Sequence, residues 1–116
     1  MKNHNGCPIQ ATSNVISGKW KVLILWHLSF GAYRFAELRN LLPGISEKVL
    51  TAQLRQLERD GVVSRSVTDV VPPRVDYALT AAGVELVGVM EIMCGWGVKN
   101  LGIAPTMRPR AELAVA

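Results

Sequence analysis

The chain has 116 residues, enough for one domain with a single core and too few for a multidomain enzyme. Apolar residues at 49% exclude a disordered chain, and 13 Lys plus Arg against 9 Asp plus Glu give a formal +4, a bias that favours an anionic partner with nucleic acid first. Two cysteines (Cys7, Cys94) and two histidines (His4, His27) fit neither a disulfide scaffold nor a zinc site, and no segment reads as a leader or membrane span, so the expectation is a soluble cytoplasmic protein without metal or cofactor.

Residues 1–6 are expected to form a flexible lead-in, residues 7–103 the domain, and residues 104–116 a tail. Cys7 as N-cap and Pro8 at the first helical position open a short helix that Ser17-Gly18 ends. In the second helix, Trp20, Leu23, Ile24, His27 and Leu28 share one face, while Val22, Leu25 and Trp26 make the others apolar, which places it centrally; Gly31 closes it. Tyr33 to Phe35 predict a very short strand. A third helix is expected from Ala36 to Leu42, with a weak N-cap and Pro43-Gly44 as its stop. Ser46 then caps a fourth helix to Asp60, with Leu50, Leu54 and Leu57 as its buried stripe and Gly61 as its end. The turn between these two helices, Pro43-Gly44-Ile45, has helix-turn-helix length.

After Gly61 the period changes to alternation: Val63, Arg65 and Val67, then Val75, Tyr77 and Leu79, a hairpin whose connection carries Pro72-Pro73 and Arg74. Thr80 caps a last helix to about Asn100 in which Leu86, Val87, Val89, Met90, Ile92, Met93 and Trp96 cover more than one stripe. One small domain cannot bury all of them, so a symmetric subunit contact is expected there. The fold class is mainly α with a small β-hairpin, a winged helix-turn-helix.

On the fourth helix, about 100° per residue puts Lys48, Ala52, Arg55 and Arg59 opposite Leu50, with Thr51 at the border. Lysine and arginine neutralise phosphates or reach guanine edges, and the Thr51 and Ala52 methyls suit a thymine methyl. Ser46 and the amides behind it suit a phosphate. Arg74 in the hairpin, with Lys19, Lys21, Arg34 and Arg39 near helix starts, adds candidate phosphate contacts. The competing reading is an ordinary solvated face. Cys7 at a helix start is a candidate reactive thiol or a plain capping group; Cys94, His27 and the Met90 and Met93 pair read first as packing, the last alternatively as a cavity lining.

Several motifs in order, Cys7-Pro8, SGKWKVLILWHL (17–28), YRFAELRNLLPGIS (33–46), KVLTAQLRQLERDGVVSR (48–65), VPPRVDYALTAAG (71–83) and Trp96, resemble the HxlR-type regulators, a MarR-like group of bacterial winged-helix transcription factors. The resemblance implies a homodimer joined through the first and last helices (Ile9, Leu86, Met90, Met93, Trp96) that represses genes from a pseudo-palindromic double-stranded DNA operator. It implies a recognition helix over Ser46 to Asp60, a wing around Val67 to Val75, and sensing of oxidants or electrophiles at Cys7. Glu47 stands where many members have a proline or another small or polar residue, so the family's base preference does not transfer. A winged-helix protein-interaction module without specific DNA binding is the alternative, and a small thiol enzyme is disfavoured because no CxxC pair, neighbouring catalytic histidine or Gly-rich phosphate loop accompanies Cys7.

Overall fold

The computed structural model describes residues 6–105, so the tail beyond Pro105 and residues 1–5 of the lead-in lie outside the described residues. The element order is α1 (Pro8–Val15), α2 (Lys21–Leu28), α3 (Phe35–Leu41), α4 (Glu47–Arg59), β1 (Val63–Thr68), β2 (Arg74–Leu79) and α5 (Ala81–Leu101). This is the mainly helical winged helix-turn-helix with a two-stranded antiparallel wing that the sequence implies.

The apolar, unstriped composition of α2 is explained by its position: Ile24, Leu25, Trp26 and Leu28 are all buried, and the helix touches α3, α5 and β2. Around it Leu38 and Leu42 of the α3 segment, Ile45 of the turn, and Leu50, Leu54 and Leu57 of α4 close the core. Because these leucines recur at three- and four-residue spacing, α4 buries one stripe and leaves the opposite face in water. The Ser46 hydroxyl accepts the Val49 N–H at 3.1 Å, which satisfies a backbone donor the helix cannot pair internally.

The start of α3 and the short strand before it differ from the sequence expectation. Helix α3 starts at Phe35, because the Glu37 carboxylate accepts the Arg34 N–H at 2.8 Å and fixes the first turn from inside the helix. The short strand contracts to a single bridge, Tyr33 against Tyr77, with backbone bonds of 2.9 and 2.8 Å in the two directions. That bridge ties the start of α3 to the wing.

The wing pairs Val63 with Leu79, Arg65 with Tyr77 and Val67 with Val75. Its base is fixed at a junction of three elements. Gly61 turns the chain out of α4 with φ of 77°, a conformation that disfavours residues with a Cβ. Thr80 Oγ1 donates to the Gly61 carbonyl at 2.6 Å and accepts the Gly83 N–H at 3.1 Å, while the Thr80 N–H donates to Val62 O at 3.1 Å. The N-cap of α5 therefore also clamps the end of α4 to the start of β1.

Helix α5 has two faces. Gly83, Leu86, Val87 and Met90 are buried against the domain, whereas beyond Met90 no described residue of the helix is buried. Leu86 and Met90, expected in a subunit contact, instead belong to the core of the chain itself, Met90 at 3% exposure. Ile92 at 75% and Trp96 at 61% exposure, with Met93 and Val89, form a second apolar stripe about a third of a turn around. By length and mean hydropathy this 21-residue helix is apolar enough to cross a membrane, but Glu85, Glu91 and Lys99 interrupt it, so it holds no uncharged apolar run of that length. Its first half packs on α2 and β2 and its length contains Glu85 and Glu91, features of a helix shared between a core and a second apolar surface.

Candidate nucleic-acid interface

The exposed side of α4 carries Lys48, Ala52, Arg55 and Arg59, with Thr51 partly covered beside them. No acidic residue stands between Lys48 and Arg55, and Leu50, Leu54 and Leu57 fix the rotation of the helix that presents them. An α-helix with this cross-section fits the DNA major groove, and side chains of this length reach base edges and phosphates from it. Ser46 is exposed at the same end, and its hydroxyl takes up the Val49 N–H, which leaves the Glu47 and Lys48 amides of the first turn to meet an anion.

The arginines around this face are held by acids that sequence reading did not connect to them. Arg39 Nη1 donates to Glu47 Oε1 at 2.9 Å across the helix-turn-helix, joining the last turn of α3 to the first residue of α4. Arg74 is the first residue of β2 rather than part of the loop, and its Nε donates to both oxygens of Asp76 at 3.2 and 3.3 Å. Arg34, at the start of α3, lines the same surface concavity as Arg74 beside Pro72 and Pro73. Lys19 is exposed and lies over the Trp20 ring at 4.7 Å, a cation–π contact.

Lys21, grouped with these residues by sequence, is not available. It is 6% exposed within α2, because a helix surrounded by α3, α5 and β2 buries even its lysine.

Cys7 is fully exposed at the N-cap of α1. No cap hydrogen bond is formed to its sulfur, yet the backbone amides of Gln10 and then Ile9 hold the thiol below its ordinary value by favouring the thiolate, against a small opposing desolvation. Cys94 is half-buried on α5, and burial lowers the pKa of His27 on α2, keeping that imidazole neutral. Ile9 on α1 is 79% exposed, and a small apolar groove lined by Thr12, Val15, Leu86 and Val89 runs between α1 and α5.

The family model described as HxlR-like helix-turn-helix matches residues 15–104. The HTH-type transcriptional regulator YtcD of Bacillus subtilis (strain 168) is 47% identical over 93 residues, spanning 80% of this chain and 74% of that protein. Among solved structures, the redox regulator HypR in its reduced form superposes with a TM-score of 0.76 at 44% identity, over 81% of this chain and 93% of that one. The reduced transcriptional regulator YodB from B. subtilis gives a TM-score of 0.76 at 32% identity, over 83% and 95%.

Proposed function

This chain belongs to the HxlR-like helix-turn-helix family of DNA-binding transcriptional regulators, and from that premise we propose that it is a cytoplasmic repressor that binds a pseudo-palindromic operator as a homodimer. The observation that carries this reading is the exposed Lys48, Ala52 and Arg55 face of α4, bordered by half-buried Thr51, whose opposite side is locked into the core by three leucines. Helix α4 enters the major groove, the wing lies along the neighbouring backbone, and Lys19 and Arg34 meet phosphates beside the helix starts. The second copy docks on the apolar stripe of Ile92, Met93 and Trp96 together with Ile9 of α1, which spaces two α4 helices about one DNA turn, near 10 base pairs, apart.

Cys7 supplies the switch. Its thiolate adds to an electrophilic C=C carbon, forming an S–C bond as the π pair shifts and is protonated from water, or attacks the terminal oxygen of a hydroperoxide, forming an S–O bond as the O–O bond breaks and the protonated alcohol or water leaves, which gives a sulfenic acid. The exposed, amide-stabilised thiol supports this, as does the similarity to HypR, whose name is that of a redox regulator.

Selection of bound duplexes from a random pool, repeated after hydroperoxide treatment, tests both parts. Recovery of an inverted repeat that oxidation releases is the expected result. Equal retention of every sequence overturns the assignment and favours a protein-interaction module, the reading for which the uncovered α5 stripe is the specific support.

A further inference from the structure

The geometry points to Asp76 as a positioning residue that aims Arg74 into a notch shared with Arg34, where the two guanidiniums hold a single DNA backbone phosphate; this rests on the DNA-binding reading above.

Three observations converge on it. First, Asp76 engages Arg74 through Nε alone, with both carboxylate oxygens within 3.3 Å, and among the described residues no other Arg74 nitrogen has a hydrogen-bond or ion-pair partner. A guanidinium held by its Nε edge keeps the fork of terminal N–H groups pointing away from the holder, the geometry that takes an anionic oxygen pair. Second, the holder is the more rigid partner: the Asp76 side chain is 20% exposed on a paired strand, opposite Ser66, whereas Arg74 is 51% exposed. Third, Arg34 and Arg74 line one concavity of about 510 Å³, walled by Pro72, Pro73 and Thr68. The Tyr33–Tyr77 bridge fixes that neighbourhood, since Tyr33 precedes Arg34 and Tyr77 follows Asp76.

A carboxylate beside a DNA surface would, by simple charge, weaken binding. As a positioning residue Asp76 does the reverse, because an arginine restrained before contact loses less side-chain freedom on binding. The sign of its effect therefore separates the two roles.

The test measures binding of the full-length protein to a short duplex recovered by selection and to a duplex of random sequence, each over a range of salt. Asp76→Ala is expected to weaken both by about fivefold, as Arg74→Ala does, and to lower the slope of log affinity against log salt by about 0.9, one phosphate. The double variant Asp76→Ala/Arg74→Ala is expected to be no weaker than Arg74→Ala. Arg34→Ala/Arg74→Ala should lower the slope by about one phosphate, not two. Asp76→Asn, which retains an acceptor oxygen for Nε, keeps the wild-type slope, and so guards against a folding defect in the alanine variant. Tighter or unchanged binding by Asp76→Ala, additive losses in the double variant, or a slope change in Asp76→Asn overturns the inference. Wild-type protein that binds neither duplex refutes the DNA-binding reading itself.

Discussion

Replacing Gly83 by alanine tests the junction that fixes the wing to the helix-turn-helix. A Cβ built on Gly83 overlaps the carbonyl oxygen of Val62 and comes within 3.1 Å of Leu79 Cδ2. The obstacle is backbone already committed to Thr80 N–H, so no rotamer change relieves it and α5 must move away from the α4–β1 turn. Overpacking of this kind costs about 1–3 kcal/mol, and a strained Thr80 hydrogen bond adds about 1 kcal/mol. The better helix propensity of alanine returns about 0.8–1 kcal/mol. The net loss, about 1–3 kcal/mol, lowers Tm by roughly 4–24 °C at the usual 4–8 °C per kcal/mol for a domain of this order of size. Thermal unfolding followed by far-ultraviolet circular dichroism, at one protein concentration because association shifts Tm, reads it directly. Gly88→Ala is the internal control: nothing lies within 4 Å of its Cβ, so it should match or exceed wild type. Equal melting of the two variants would refute the reasoning.

Trp96→Asp should leave the protomer folded while lowering its sedimentation coefficient, since Trp96 is exposed on the chain; Met90→Asp, buried in the core, should unfold it. A folded but still dimeric Trp96→Asp protein counts against the proposed subunit contact. Alkylation by iodoacetamide near neutral pH should modify exposed Cys7 before half-buried Cys94, and slow as pH falls and the Cys7 thiolate is protonated; mass mapping of the first adduct to Cys94 would contradict this. Cys7→Ser should abolish the hydroperoxide effect on DNA affinity, whereas an intact response moves the switch elsewhere. Glu47→Gln, which frees Arg39 and removes a charge from the start of α4, should raise affinity for random duplex at low salt, read by anisotropy; a drop would show that the Arg39–Glu47 pair itself supports binding.

The helix-turn-helix was legible because α4 is amphipathic: a serine cap, leucines at 50, 54 and 57, and a Pro-Gly stop before it allow one rotation only. The wing followed from alternation on both sides of Pro72-Pro73. Helices α2 and α5 were located but not oriented, since a helix apolar on every face carries no phase. That is why Lys21 read as exposed and Leu86 and Met90 as interface, although the packing of α5 on α2 assigns all three to the interior. The Arg74–Asp76 pair was missed because Arg74 read as part of the connection, whereas as the first residue of β2 it shares a face with Asp76 two positions on; the Arg39–Glu47 pair depends on how two helices cross, which spacing alone does not specify. Gly83 carried no signal beyond its glycine, because the carbonyl it must avoid belongs to a residue more than twenty positions earlier in the chain.

The central claim is that α4 reads DNA with its basic outer face, and the most direct measurement is the affinity of Lys48→Ala/Arg55→Ala for a selected duplex relative to random duplex, alongside its melting temperature. The account predicts an unchanged Tm, loss of most of the preference, and a salt slope lower by up to about 1.8. A variant that keeps the wild-type preference for the selected sequence would contradict it.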